Sequence, residues 1–418
     1  MSSSFFRVST ANLFDSSVRN LGTRQKTLSD LQENLTSGKR VVRPSDDPVA
    51  AAQAERALTR ISRIQTEQRA LEVQRNAIGL AESTLGDAVG LVQEMRTLMV
   101  GAGGGALNNA DRQTYAKQIE SLQEQLRGVI NRKDTNGMPL LGALGSALEP
   151  FAGPLAGSPD YLFAGLPGQA ASDGTSIATT VDGHAALMFD PRRDGVYQAG
   201  VSTVSSSSNL GTSAVTPIDR SLITGNDYRI DFTAVGPGAT PGTSSATYTI
   251  TNTTTGAVSA PVTVPDYPSN KPAAIAVTGV PGLSLSVNGN PAAGDSVTLK
   301  PSASLMSSID SAVNGIANAT NSTQAAQAVG QALAHMDAGL ERLSNIRGYA
   351  GELLNRADRI TGDQEKRSIQ LEADRSRAED LDMLKGISDF QNANTGLEAA
   401  LKSYAQVQRL SLFNYING

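Results

Sequence analysis

The strongest constraint on this chain is a narrow apolar stripe near each end of its sequence. Apolar residues recur at steps of three, four or seven from Phe14 to Leu35, and again from Ile387 to Tyr404. This spacing is typical of a coiled-coil seam, which one helix cannot bury by itself. We therefore expect the two chain ends to pair as helices. The stripe residues are Phe14, Val18, Leu21, Leu28 and Leu35 in the first stretch, and Ile387, Phe390, Leu397, Leu401 and Tyr404 in the second.

The N-terminal part of the sequence predicts three helices. Residues 1–17 carry too few apolar side chains to fold alone, and we expect them to be disordered until a partner binds. The first helix should then end at Gly38, since glycine accommodates the left-handed backbone that often stops a helix. Ser45-Asp46-Asp47-Pro48 marks a second helix start, because aspartate accepts bonds from free N–H groups and proline has a helical φ. This long helix should end at the glycine-rich residues 101–105, and a third helix should span about residues 111–131.

The period of the pattern changes from about residue 170 to residue 305. Apolar residues alternate with polar ones there, as at Tyr228, Ile230 and Phe232, and Gly, Pro and Asn separate the runs. A period of two predicts antiparallel strands in a sandwich or barrel. Helical spacing returns at Ile309 and continues to the C-terminal stripe.

These patterns predict an α+β fold: a discontinuous bundle or coiled coil of long helices from both chain ends, with an inserted antiparallel β domain. Residues 1–42 and 385–418 are expected to form a terminal coiled-coil assembly domain. Residues 43–170 and 306–384 are expected to form a helical rod, and residues 171–305 the inserted β domain.

The composition argues against several classes of function. The 418 residues have a net charge of −5, so a general nucleic-acid binder with a concentrated basic surface is not expected. Cysteine is absent, which excludes disulfides and thiolate metal sites. Met1 to Thr10 lack the features of a cleaved secretory signal, and no apolar run is long enough to cross a membrane. Any export is therefore expected to use another route.

The sequence offers no convincing catalytic constellation. His184 and His335 are the only histidines, and we expect structural or surface roles for both. The adjacent carboxylates Asp46 and Asp47 precede a proline, so they suit a helix start better than acid–base catalysis. The sequence has no nucleophile elbow, phosphate-binding loop or metal-ligand spacing. We therefore predict no catalytic residue, cofactor or metal.

Several motifs resemble those of the bacterial flagellin superfamily. Residues 37–48, SGKRVVRPSDDP, resemble the junction between its first two helices, and residues 136–141, NGMPLL, resemble the turn after its third helix. Residues 161–165, 292–296 and 398–416 resemble more closely the branch that joins the flagellar hook to the filament. Filament flagellins more often end in a leucine-rich tail.

The resemblance implies a non-enzymatic structural adaptor of the flagellum. Its implied partners are the first hook-associated protein, flagellin, like subunits in a ring and a cytoplasmic flagellar export chaperone. It further implies an extracellular location in the flagellum, reached through the flagellar type III apparatus without a cleaved signal peptide. Nucleic-acid binding and membrane insertion are not expected.

The terminal stripes predict where assembly contacts lie. Apolar side chains that a monomer leaves uncovered become buried when neighbours pack axially and laterally, so assembly and ordering of the ends are coupled. We expect residues 1 to about 40 and 385–418 to be disordered or unpaired in the free monomer. The predicted interface residues are Phe5, Phe14, Val18, Leu21, Leu28, Leu35, Phe390, Leu397, Leu401, Tyr404, Leu412 and Phe413.

Two other functions remain open from the residues. A filament flagellin would share the same terminal helices and would form long polymers. A secreted adhesin would use the β region to bind a ligand such as a carbohydrate, although that region shows no aromatic cluster typical of sugar sites.

Overall fold

The computed structural model describes most of the chain, with the backbone alone described at 10–14 and 407–416. The described residues are 10–105, 107–154, 160–204, 209–269 and 273–416. The chain divides into two compact units. The terminal unit comprises Met1–Arg69 and Thr361–Gly418, and the central unit comprises Ala70–Ile360.

Six helices of more than two turns and two short ones account for most of the described residues. The long helices match the predicted order of three, a β region and three more. They are α1 Thr10–Ser37, α2 Pro48–Ala102, α3 Asn109–Ile130, α6 Leu305–Ala317, α7 Ser322–Glu379 and α8 Met383–Ile416; the short ones are α4 Gly183–Leu187 and α5 Pro191–Asp194.

The terminal unit is built on the pairing of α1 with α8. The helices run antiparallel, since Leu35 lies beside Gly386 while Arg24 lies beside Gly396. A Cβ on Gly396 would come within 2.9 Å of an Arg24 guanidinium nitrogen, so glycine allows a close approach there. The predicted pairing of the chain ends is therefore confirmed.

The start of α1 differs from the prediction, whereas its end agrees with it. Helix α1 begins at Thr10, so the expectation that residues 10–17 would lack structure was wrong. Helix formation continues through them because α1 packs on α8 along a shared seam. At the other end, Gly38 has a φ of 71°, the predicted left-handed stop. Residues 1–9 lie outside the described residues.

The helices of the central unit share one apolar core. Met95 and Met99 of α2, Ile119 of α3 and Leu343 of α7 are fully buried there. Residues between Ile177 and Val196, which the sequence analysis placed with the strands, also pack into this core. They include α4 and α5 rather than extended strand, and the two larger sheets begin only at Tyr197, after a short antiparallel pair of strands at Phe151–Ala152 and Leu162–Phe163.

The β region forms two antiparallel sheets with a core of their own. After the separate pair β1 Phe151–Ala152 and β2 Leu162–Phe163, the strands are β3 Tyr197–Ser202, β4 Gly211–Thr212, β5 Thr216–Pro217, β6 Tyr228–Pro237, β7 Thr243–Asn252, β8 Val262–Pro268, β9 Ala274–Val277, β10 Leu283–Asn288 and β11 Ser296–Pro301. The larger sheet has the strand order β3-β11-β6-β7-β8, and β10 pairs with β4, β5 and β9 in the smaller one. Their shared core includes the fully buried Tyr197, Phe232, Tyr248 and Val287.

Side chains of α7 cover the edge of the larger sheet at β3. Gln327, Gln331 and His335 follow one another at helical spacing and reach the strand backbone. Gln331 donates to the Ala199 carbonyl at 3.0 Å and accepts from the Ala199 N–H at 3.3 Å. His335 Nε2 lies 3.0 Å from the Tyr197 carbonyl oxygen. These bonds satisfy backbone groups that a neighbouring strand would otherwise pair.

Candidate assembly surface

The pairing of α1 with α8 covers only part of the predicted apolar stripes. Val18 on α1 is 45% exposed and Leu401 on α8 is 50% exposed. An ordinary helix pair buries its seam because water around large apolar side chains is unfavourable. The partly covered seam therefore leaves a strip of apolar surface for further packing.

The structure brings most of the predicted interface residues together on this helix pair. Half-buried positions in it are Leu21, Leu28, Leu35, Phe390, Leu397 and Tyr404. Helical backbone continues through Phe14, Leu412 and Phe413, but their side chains lie outside the described part of the structure, as does all of Phe5.

The loop after α1 attaches the terminal helix pair to the end of α7. The Leu381 N–H donates to the Gly38 carbonyl at 2.9 Å, and the Arg40 N–H donates to the Glu379 carbonyl at 2.7 Å. The Arg40 side chain also donates to the Ala378 carbonyl at 2.8 Å. The two bonds from Arg40 occupy carbonyls at the C-terminal end of α7, which have no partner within that helix.

An aspartate at the end of the same loop caps α2, as predicted. The Ala50 N–H donates to Asp47 Oδ1 at 3.0 Å, and the Arg40 guanidinium lies 3.3 Å from Asp47 Oδ2. The Ala50 N–H and the Arg40 side chain lower the pKa of Asp47. Asp46 accepts a bond from the Arg43 N–H at 2.8 Å, so both carboxylates organise the turn.

The junction of α7 and α8, including the first turns of α8, forms an exposed apolar corner that the sequence pattern did not predict. Leu384 is 84% exposed, Met383 is 47% exposed, and Ile387 on the next turn is also exposed. Only Ile387 belongs to the predicted stripe. The run Asp382-Met383-Leu384, with two large apolar residues after an acidic segment, was the available signal.

Neither histidine has the surroundings of a catalytic or metal-binding group. His335 is buried, and burial lowers its pKa to about 4, so it is neutral at ordinary pH. His184 packs edge-on against Phe163, and partial burial lowers its pKa too. The described part of the chain contains no cluster of three or more side chains suited to a metal ion. No described helix is long and apolar enough to cross a membrane.

The N-terminal region carries the similarity to known families. Residues 8–144 of the 418 match the bacterial flagellin N-terminal helical region. Flagellar hook-associated protein 3 of Salmonella typhimurium is 30% identical over 147 residues, which are 35% of this chain and 46% of that protein. Flagellin of Bacillus subtilis is 31% identical over 111 residues, 26% of this chain and 36% of the relative. The chain thus spans about half the length, or less, of these relatives.

A solved structure extends the likeness to the fold. Flagellar hook-associated protein 3 of Legionella pneumophila superposes with a TM-score of 0.61 at 21% identity, covering 76% of this chain and 97% of the other. The superfamily resemblance and the predicted flagellin-like α+β fold are confirmed, and among flagellar proteins the chain is similar to hook-associated protein 3. The relatives and the solved structure named here are flagellar proteins.

Proposed function

We propose that this chain is a non-enzymatic structural adaptor that joins the flagellar hook to the flagellin filament. The observation that carries the proposal is the half-covered apolar seam of α1 and α8, in a fold shared with hook-associated protein 3. A seam that stays open within one subunit requires neighbours to cover it. Axial and lateral packing of the terminal helices would supply them.

The apolar seam also supplies the driving force for assembly. Burying the exposed half of one leucine or valine side chain contributes about 1 kcal/mol, half of what burial of the whole side chain gives. Val18 and Leu401 are about half exposed, and the half-buried Leu21, Leu28 and Leu397 add to them. Repeated around a ring of like subunits, these small terms favour an ordered assembly over free monomers.

The proposed partners follow from this position in the flagellum. The first hook-associated protein would contact the ring on the hook side, and flagellin would add on the other side. Before export, a cytoplasmic flagellar chaperone would cover the C-terminal stripe by binding α8 in a groove. Export through the type III apparatus would place the protein outside the cell, in the flagellum.

Two further expectations belong to the proposal. The terminal coiled coil (1–42 and 385–418) would make the coiled-coil contacts of the assembly and the helical rod (43–170 and 306–384) would support it. The insert, predicted at 171–305, would supply the β domain from Tyr197 onward. The helix pair, with its seam only partly covered, would be easier to unfold in the free monomer than in the assembly. Amide exchange tests the second expectation, since ends that are as well protected in dilute monomer as in the assembly would contradict it.

A gene deletion tests the central proposal. Electron microscopy of the deletion strain should show intact hooks without filaments, and a blot of the culture medium should show lost flagellin monomers. Complementation with the unaltered chain should restore filaments. Normal filaments on the deletion strain would overturn the junction function.

The second candidate is a filament flagellin, which the similarity to Bacillus subtilis flagellin favours. A filament subunit polymerises without limit, whereas an adaptor forms a closed layer. Purified protein that extends long filaments from flagellin seeds would establish this alternative.

A further inference from the structure

A groove rich in arginine lies on the terminal unit, beside the loop after α1. Its volume is about 650 Å³, and the N-terminal turns of α2 and the last turns of α7 form its walls. We name it the arginine groove; its charged residues are Arg40, Arg56, Arg60, Arg377, Asp47 and Asp374. Val49 and Leu371 contribute apolar surface to it, and Val49 is 68% exposed.

Two of these arginines have no ionic partner within the described residues. Arg40 pairs with Asp47 at 3.3 Å, and Arg377 pairs with Asp374. Arg56 and Arg60 form no ion pair in the described part of the chain, although both line the groove one helical turn apart. The groove therefore presents unbalanced positive charge around an apolar floor.

The α7–α8 corner, residues 380–387, has the opposite character. Leu384 projects as its most exposed apolar side chain, beside the exposed Met383. Asp380 and Asp382 precede them and exposed Asp389 follows, whereas exposed Lys385 is the single basic residue between 380 and 389, so the corner is acidic on balance. An exposed apolar side chain with a net negative surround is complementary to a groove that has apolar surface and a net positive charge.

We propose that the α7–α8 corner of one copy inserts into the arginine groove of the neighbouring copy. The inference deepens the proposed function and rests on it, because it names the contact that joins like subunits in the ring. Leu384 fills the apolar floor, and the aspartates of the corner lie against Arg56 and Arg60.

The positions of the two surfaces along the chain support a lateral contact. Asp374 and Arg377 in the groove wall precede the corner by only a few residues on α7, so both surfaces lie at one level of the terminal unit. If neighbouring copies are related by a rotation with no shift along the rotation axis, the corner of one copy comes to the level of the arginine groove of the next. A contact between two different patches is heterologous, and it generates a ring when the rotation between neighbours closes.

Disulfide cross-linking in assembled flagella tests this contact, because the chain contains no cysteine of its own. Gln53→Cys in the groove and Leu384→Cys in the corner are co-expressed as separate, differently tagged chains, so that a mixed disulfide must join two copies. Oxidation of isolated flagella should give mixed dimers. Leu58→Cys, an exposed residue on the same helix outside the groove lining, is the matched control and should give none with Leu384→Cys.

A charge reversal provides the second measurement. Arg56→Glu with Arg60→Glu should lower the mixed-dimer yield about tenfold, the change that roughly 1.4 kcal/mol produces. Arg69→Glu, on the same helix but outside the groove, should leave the yield unchanged.

The outcomes separate the inference from the proposed function. Mixed dimers that depend on the groove arginines support the contact. Chains present in isolated flagella, with both thiols reactive toward maleimide but no mixed dimer, overturn the contact and leave the adaptor function standing. Absence of the unaltered chain from isolated flagella overturns the adaptor function and the contact with it.

Discussion

Removal of one buried arginine should destabilise the central unit by several kcal/mol. Arg342 on α7 donates to both Asp194 carboxylate oxygens, at 2.9 and 3.1 Å, and also to the Ala185 carbonyl. The side chains of Arg342 and Asp194 are each only 10% exposed. Arg342→Ala would leave a buried carboxylate and a buried carbonyl without this partner.

The magnitude depends on what remains beside Asp194. Breaking a buried ion pair by removing one partner typically costs about 3–5 kcal/mol. Arg193 still lies 3.0 Å from Asp194 Oδ1, and the Asp190 N–H donates to Oδ2 at 2.7 Å, so the carboxylate keeps partial compensation. We therefore expect a loss near the lower limit, about 3 kcal/mol.

Urea unfolding followed by circular dichroism measures this loss for the transition of the central unit. Arg347→Ala is the matched control: it lies on the same helix, and its ion pair with Glu82 is about half exposed on the arginine side. The control substitution should lower the free energy of unfolding by less than about 1 kcal/mol. A loss below about 1 kcal/mol for Arg342→Ala as well would refute the argument that the pair acts as a buried one.

The pH dependence of the same pair follows from its pKa. Burial raises the pKa of Asp194, but bonds from Arg193 and the Asp190 N–H, with the charge of Arg342, lower it overall below 3.8. Because the pKa of Asp194 is lower in the folded protein, the unfolded chain takes up the proton first as the pH falls. The contribution of Asp194 to the free energy of unfolding should therefore be complete above about pH 4 and decline as the pH falls further. This decline should be smaller in Arg342→Ala.

Three further predictions concern the terminal helices, the covered sheet edge and the helix cap. Leu401→Asp with Tyr404→Asp should abolish both chaperone binding and incorporation into flagella, while Lys402→Glu on the same turn should retain both. A pull-down measures chaperone binding, and blotting of isolated flagella measures incorporation. Unchanged binding in the double variant would contradict the proposed function of the C-terminal stripe. Burial lowers the pKa of His335 to about 4, so the free energy of unfolding should decline as the pH falls from about 6.5 to 4, because the unfolded state takes up the proton first. The midpoint of urea unfolding should show this decline in the unaltered chain but not in His335→Gln. An equal dependence of the midpoint on pH in both chains would refute the argument. Asp47→Ala should weaken the first turn of α2 and speed amide exchange at Ala50, whereas Asp47→Asn should preserve the cap and the slow exchange. Equal exchange in both variants would contradict the cap.

Local chemistry explains what could be predicted from the sequence. The stop at Gly38 requires a positive φ, and the cap at Asp47 needs only the N–H of Ala50 three residues later. The predicted turn at Asn136-Gly137 is equally local: Asp134 accepts bonds from the N–H groups of Asn136 and Met138, both at 2.8 Å. Such signals lie within a few residues, so one sequence contains all the information they need.

Long-range partners explain most of what could not be predicted. Gln327 and Gln331 look like ordinary polar residues on a helix, yet both donate to the Ala199 carbonyl, far away in the sequence. The segment before the strands behaves similarly: α5 is a single short turn whose Asp194 is held by Arg342 of α7. A period of two or 3.6 carries no information about such partners.

The α7–α8 corner shows how a tertiary contact can create a surface that periodicity hides. No glycine or proline separates the two helices between Glu379 and Met383, so propensity alone would continue one helix through the segment. The break forms because the Leu381 N–H bonds to the Gly38 carbonyl, and Asp382 accepts from the Lys385 N–H at 3.2 Å to start α8. Leu384 is exposed as a result of that break. Since the same loop places Arg40 in the arginine groove, one local structure sets both surfaces, and a change that frees the loop should disturb the corner and the groove together.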